Sequence, residues 1–342
     1  MPTSSGRRGI YSALTTLAND PSYAANFFGS EYTGVGETFT IEECPSSAHF
    51  LEPRFFPAVV NDDRASVYST LLIGEIDIGM GTRIGAKGNW KSGCRHFDTL
   101  ITNRTACQNA YAFRAPSGAN DELSDIYYGQ LAEFDAVGTA VRDLTGAYDV
   151  QTPLIGNPPS PWTYEGFATL GVPIYKSSRL NANLAYHHLA DAFPLNLDRS
   201  WQKNCDLFIQ LRKGAYWATE QELAMTYPCS CLPDYDCRSF AHEDVGVRQP
   251  EIYDQNNRLV PPWDLHSVLC QGTLTLMEGT LKIRRTSDMH PIVNFLAQSI
   301  TVLDGPLPFD FDAETHSESA NDSDTTSEDD ATTDMATDGG SD

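Results

Sequence analysis

The chain lacks any run approaching the roughly 20 uninterrupted apolar residues of a membrane helix. Its best apolar stretch, Ser69 to Met80, is broken by Glu75 and Asp77. The N-terminus (Arg7, Arg8, several Ser and Thr, no acid before Asp20) has a transit-peptide character but no apolar core of a secretory signal. Without a sign of export, the eight cysteines (Cys44, Cys94, Cys107, Cys205, Cys229, Cys231, Cys237, Cys270) are expected to be reduced thiols. The chain is then expected to be intracellular, nuclear or cytoplasmic, with organelle import left open. Asn103-Arg104-Thr105 fits a glycosylation acceptor, which has meaning only in a secreted protein. A phosphate loop, a Rossmann glycine fingerprint, a nucleophile elbow and a His-Glu metalloprotease pair are all missing. Gly79-Met80-Gly81 with Gly85 imitates the glycine fingerprint without the helix it requires. These absences weigh against an enzyme.

Basic residues are also missing from one end. Between Phe309 and Asp342 there are twelve Asp or Glu and no Lys or Arg, and the only large apolar residues are Phe309, Phe311 and Met335. Such a segment cannot bury enough surface to offset the entropy of ordering it, so a disordered, self-repelling anionic tail is expected over 309–342. It would engage a basic protein partner or compete with an anionic ligand for a basic groove. Ser327, followed by Glu328, Asp329 and Asp330, suits phosphorylation. The whole chain of 342 residues carries a net charge of −23. Without the tail, 34 acids face 23 bases, about −11, which excludes a uniformly basic nucleic-acid binder but permits a local basic strip.

What is present reads as mainly β with a few short helices, an α+β class. Ile10 to Leu17 has a modest helical pattern within a flexible, polar segment 1–35. Thr38 to Ile41 and Val67 to Ile78 are strand-like, the latter with Leu72, Gly74, Ile76 and Ile78 on one face. Tyr127 to Leu144 fits either a helix or a strand, and Gly138 weakens the helix. The Pro- and Gly-rich stretch Thr152 to Pro173 suggests a boundary between a β-rich domain at 36–160 and a second domain at 161–308. In that second half, Leu180 to Phe193 suits a helix and Cys205 to Leu211 a strand. Thr219 with Glu222 marks a short helix through Met225. From Gln271 the alternation is β, with a turn expected at Glu278-Gly279 and a last strand from Ile292 to Leu303.

Three constellations carry chemical possibilities. Cys229, Cys231, Cys237 and His242 are four soft ligands within fourteen residues and could hold a structural zinc. The single residue between the first pair is unorthodox, so a metal-free loop or a disulfide are alternatives. His187 and His188 lie near Asp191, but adjacent residues on a helix point apart, which favours a structural or surface role. Lys282, Arg284 and Arg285 cluster on the C-terminal hairpin, and Arg212, Lys213, Tyr216 and Trp217 pair cations with aromatics. Cations that track phosphates and rings that stack on bases hold single-stranded nucleic acid. The alternative places Lys282 and Arg284 on a merely solvated strand face and the two rings in the core.

The order of elements from Arg248-Gln249-Pro250-Glu251-Ile252-Tyr253 to Cys270-Gln271-Gly272, then a hairpin, then Asn294-Phe295-Leu296-Ala297 and Leu303-Asp304-Gly305, resembles phage-type single-stranded DNA-binding proteins. It covers roughly residues 200–305 plus the tail. The resemblance implies a five-stranded oligonucleotide-binding (OB) barrel in the C-terminal half, no catalysis, and a tail that recruits partners and competes with DNA. The Cys-rich segment 229–237 departs from that pattern, as does a barrel region that is not markedly basic. The expected groove is lined by Lys213, Tyr216, Trp217, Lys282, Arg284 and Arg285. Single-stranded nucleic acid would be its ligand, with no cofactor beyond the possible zinc. A viral or other assembly protein, or an unrecognised enzyme using the histidine or cysteine clusters, are the rival readings.

Overall fold

The computed structural model describes residues 4–20, 26–30, 39–47, 50–57, 68–79, 81–90, 100–103, 105, 107–155, 167–175, 220–241, 245–285 and 290–306. In chain order the elements are α1 (Ser4–Asn19), β1 (Phe39–Ser47), β2 (Phe50–Pro57), β3 (Ser69–Asp77), β4 (Gln108–Arg114), α2 (Asp121–Thr145) and β5 (Phe167–Pro173). They continue with β6 (Thr226–Pro228), β7 (Gly246–Arg248), β8 (Glu251–Tyr253), α3 (Leu265–Val268), β9 (Leu274–Arg285) and β10 (Pro291–Asp304). The class is α+β and mainly β. The expected helix at Leu180 to Phe193, the strand at Cys205 to Leu211 and the acidic tail lie outside the described residues.

Five strands close on themselves. β3 pairs antiparallel with β4 on one side and β9 on the other, β4 pairs with β5, and β9 with β10. The ring is completed by a short parallel pairing of β10 with β5, Phe295 to Leu170 and Leu296 to Gly171. A first strand bonded to both the second and the fourth, with the third and fifth parallel, is the OB arrangement. β8 extends the sheet by pairing parallel to β10 beyond the point where β5 departs. The barrel is therefore not confined to the C-terminal half. Ser69 to Glu75 lie opposite Thr280 to Leu274, and Thr152 to Pro173 ends in a barrel strand instead of dividing two domains. Pro153 marks a bend of the chain at 151–155, where Gln151 and Leu154 bridge to Ile292 and Ala168. Local composition carries no trace of those pairings.

Burial on both faces explains the near-continuous apolar run of β3. Leu72 and Ile76 face the barrel core with Tyr111, Phe113, Leu170, Met277 and Phe295. Leu71 and Ile73 face outward, but there they meet Tyr11, Leu14 and Leu17 of α1 and Leu123 and Ile126 of α2. The N-terminal segment expected to be flexible thus contributes a helix that seals one face of β3. It is also bonded there: the buried Arg7 guanidinium meets Glu75 and Asp304, both at 3.1 Å, and donates to the carbonyls of Gly272 and Gly305 at 2.7 Å.

The ambiguous stretch around Tyr127 is helical, and α2 runs for 25 residues, longer than the short helices expected. Asn120 accepts from the Leu123 amide at its start, Asp121 and Glu122 complement the helix dipole, and Gly146 ends it with φ 64°. Gly138 is tolerated because the helix passes close to residue 152; a Cβ there would sit 2.6 Å from the Thr152 methyl. One buried turn of α2 also completes the sheet. Gln130 accepts from the Ile73 amide at 2.7 Å and donates to the Ile73 carbonyl at 3.0 Å, at a place where β3 has no β4 partner.

The turn expected at Glu278-Gly279 does not form; β9 is continuous from Leu274 to Arg285, and the reversal falls between Arg285 and Pro291. Gly279 serves a bulge in the ladder at Ala297/Ser299, where a Cβ would stand 2.4 Å from the Leu296 carbonyl oxygen.

Candidate nucleic-acid interface

The β9–β10 reversal brings three of the expected cations to one barrel end. Lys282, Arg284 and Arg285 lie in β9 opposite Asn294, Ile292 and Pro291. Leu281 and Ile283 are buried, so Lys282 and position 284 share the outward register; the Lys282 side chain is exposed. Lys213, Tyr216 and Trp217 lie outside the described residues, as do His187, His188 and Asp191.

A second cationic element, not among the expected groove residues, is the β3–β4 connection. Residues 78–107 contain Arg83, Lys87, Lys91, Arg95 and Arg104 against a single acid, Asp98, in a chain of net charge −23. Its first part is held against the barrel. Arg83 exchanges backbone hydrogen bonds with Ala110 at 2.7 and 2.8 Å, and the Asn89 amide donates to the Gln108 carbonyl at 2.9 Å. The Arg83 side chain is exposed, and Lys87 pairs with Asp236 at 3.2 Å across a half-exposed contact. Asp236 is held below the usual carboxylate range, first by the Arg238 amide and then by Lys87. An exposed pair of this kind contributes little stability, so a phosphate can displace the carboxylate at small cost. A charge count over each connection would have revealed this segment, since a local excess of four positive charges stands out from an acidic body.

Two further cations, Arg7 and Arg114, are committed to the fold. Arg7 is buried, and Arg114 binds Glu75 at 2.9 Å and Asp77 at 3.5 Å. Together with two donations from Ser117 to Glu75, they form a polar knot at the end of β3 that serves the fold.

The Cys-rich segment packs against this same connection. Cys229 is fully buried among Ala86, Trp90, Ile101, Tyr175, Phe240 and Val247. Cys231 is partly buried beside it and Cys237 is exposed. Tyr175 donates its hydroxyl proton to the Ala86 carbonyl, which ties the loop to the end of β5. Among the described residues no three His, Cys, Asp or Glu side chains converge as metal ligands, and Cys107, Cys229, Cys231, Cys237 and Cys270 are free thiols. His242 lies outside the described residues. Burial raises the Cys231 thiol and pushes that of Cys107 up to about 12. Among the described residues no helix is long and apolar enough to cross a membrane.

No protein-family model and no curated protein matches the chain. Two solved structures are similar to it. One is gp2.5, a single-stranded DNA binding protein encoded by bacteriophage T7, with 9% identity over 72% of this chain and 96% of that one, at a TM-score of 0.28. The other is the single-stranded DNA-binding protein from bacteriophage Enc34, with 7% identity over 80% of this chain and 95% of that one, at a TM-score of 0.21. Superpositions this loose lend no weight to fold or role, and the OB assignment rests on the strand pairings.

Proposed function

We propose that the chain binds single-stranded nucleic acid without catalysing a reaction, and that its acidic C-terminal segment competes for the groove and engages a basic protein partner. The observation that carries this reading is the coincidence of charge with topology. In a closed OB ring, oligonucleotides run over the second and third strands between the first–second and fourth–fifth connections. In this acidic chain those two connections are where cations gather: Arg83, Lys87, Lys91, Arg95 and Arg104 in one, Lys282, Arg284 and Arg285 at the base of the other. Lys213, Tyr216 and Trp217 are proposed to add two stacking rings and a cation to the same groove.

The test is fluorescence anisotropy of labelled oligonucleotides across a salt series, with the full chain and with a chain ending at residue 308. Binding through phosphates releases counterions, so affinity should fall log-linearly with salt, by about 0.7 per contact on single strands. Removing 309–342 should tighten binding most at low salt. Arg83→Glu and Lys282→Glu should each weaken binding and flatten the slope by roughly one contact. An absence of binding at low salt, or binding indifferent to both salt and truncation, would refute the reading.

A further inference from the structure

Beside the cationic β3–β4 connection lies a cleft of about 250 Å³, bounded by Ile84 and Gly85 of that connection, Asn109 and Tyr111 of β4, the Cys-rich segment and the start of α3. Its walls include the flat or branched apolar groups of Ile84, Leu232, Pro233 and Pro262. It is smaller than the roughly 300–1,000 Å³ of sites for drug-sized molecules, and fits one ring system.

Tyr111 is the unusual member. Its side chain is fully buried, yet its hydroxyl has no hydrogen-bond partner. A ring that only filled the core would avoid that cost as phenylalanine, and nearly all buried hydroxyls in folded proteins are paired. The neighbouring polar groups are arranged differently. Asn109 accepts from the Gly85 amide at 3.0 Å, and Asp234 accepts from the Ala86 amide at 2.7 Å through one carboxylate oxygen. The second Asp234 oxygen stands close enough to Gly85 that a Cβ there would collide with it at 2.1 Å. Only glycine, here with φ 108°, lets this acceptor sit at the cleft wall.

The cleft thus offers the Tyr111 hydroxyl, the Asp234 carboxylate and the His266 side chain between apolar walls. The Asp234 carboxylate disfavours a phosphate inside the cleft, so the group seated there is an uncharged one. We infer that this cleft takes one unstacked nucleobase that sets a ring-nitrogen acceptor beside an exocyclic amine, as cytosine and adenine do. The Tyr111 hydroxyl donates to the ring nitrogen and Asp234 receives the amine proton. Thymine and uracil present the opposite pattern and are rejected. Reading a base by its pairing edge between apolar walls is the usual way in which proteins hold an extruded base. The inference deepens the proposed binding function and rests on it.

The experiment compares binding of equal-length oligo(dC) and oligo(dT) to the wild-type chain, Tyr111→Phe and Asp234→Asn, together with titration of free cytidine monophosphate followed by NMR. The readout is the dC:dT affinity ratio. Wild type should favour dC roughly tenfold or more, the scale of one well-made base contact. Tyr111→Phe should bring the ratio towards one, and Asp234→Asn, which keeps the acceptor for Ala86 but presents an amide, should lower or reverse it. Equal affinity of wild type for both oligomers overturns the pocket and leaves the groove standing. An unchanged ratio in both variants also overturns it. Failure to bind any oligomer while the monophosphate binds through Tyr111 overturns the groove and supports the pocket.

Discussion

Replacing Arg7 by Met tests whether α1 is an integral part of the barrel. The methionine keeps an apolar stem of similar length and removes the guanidinium, which makes four bonds: to Glu75 and Asp304 at 3.1 Å and to two backbone carbonyls at 2.7 Å. Breaking a buried ion pair by deleting one partner costs about 3–5 kcal/mol, mostly because the remaining charge is left uncompensated. Here the orphaned charge is partly covered. Glu75 keeps Arg114 at 2.9 Å and two donations from Ser117 at 2.8 and 2.9 Å. The lower end of the range is therefore expected, about 3 kcal/mol. In a domain of this size that corresponds to a fall in Tm of roughly 6–12 °C. Urea unfolding of wild type, Arg7→Met, Glu75→Gln and the double variant measures both the loss and the coupling. Coupling of about 1–3 kcal/mol with an unchanged m-value is expected. A change below about 0.5 kcal/mol, the size typical of an exposed surface substitution, would refute the placement of Arg7 and of the helix that carries it.

Further outcomes are expected from single substitutions. Gln130→Leu strips Ile73 of partners for both its amide and its carbonyl and should cost about 2–4 kcal/mol in urea unfolding; a neutral result would show that α2 does not complete the β3 edge. Tyr111→Phe removes a buried hydroxyl that has no partner and should raise stability by about 1 kcal/mol in the absence of ligand, read by thermal melting. A loss of stability would reveal a partner for that hydroxyl. Cys107 is protonated in the folded chain until about pH 12, against an ordinary value of 9.0. In the unfolded chain it ionises earlier, so stability should fall as pH rises from about 9 towards 12, and Cys107→Ala should flatten that fall. In native alkylation the exposed Cys237 should react before Cys107, and rapid labelling of Cys107 would contradict its burial.

Much of the local structure was legible in the residues. The alternation of β9 and β10, the β-branched run of β3 and the helical pattern around Ile10 all became elements at nearly the expected places. Tyr127 to Leu144 was undecidable by periodicity, since Val137, Thr139 and Val141 fit either period. Its cap at Asn120 and its packing against β3 and β10 decide it. Glu278-Gly279 has the composition of a turn, but the glycine answers a close approach of the Leu296 carbonyl, a neighbour 17 residues away in the chain. Lys282 was legible as an outward-facing cation because it alternates with the apolar Leu281 and Ile283, both buried. Tyr111 was not, since an unpaired hydroxyl becomes visible only when every neighbour is known.

From its residues alone the chain settles its α+β character, its charge asymmetry and the periodicity of its strands, because these follow from side-chain chemistry at neighbouring positions. Ring closure is another matter. Bonding Ser69 to Thr280 and Leu170 to Phe295 joins segments more than a hundred residues apart, and no local pattern encodes such pairings. The same folding moves a cationic connection, a buried tyrosine and a loop carboxylate to one edge of the barrel, where spatial proximity gives them a chemistry that none has in the linear chain.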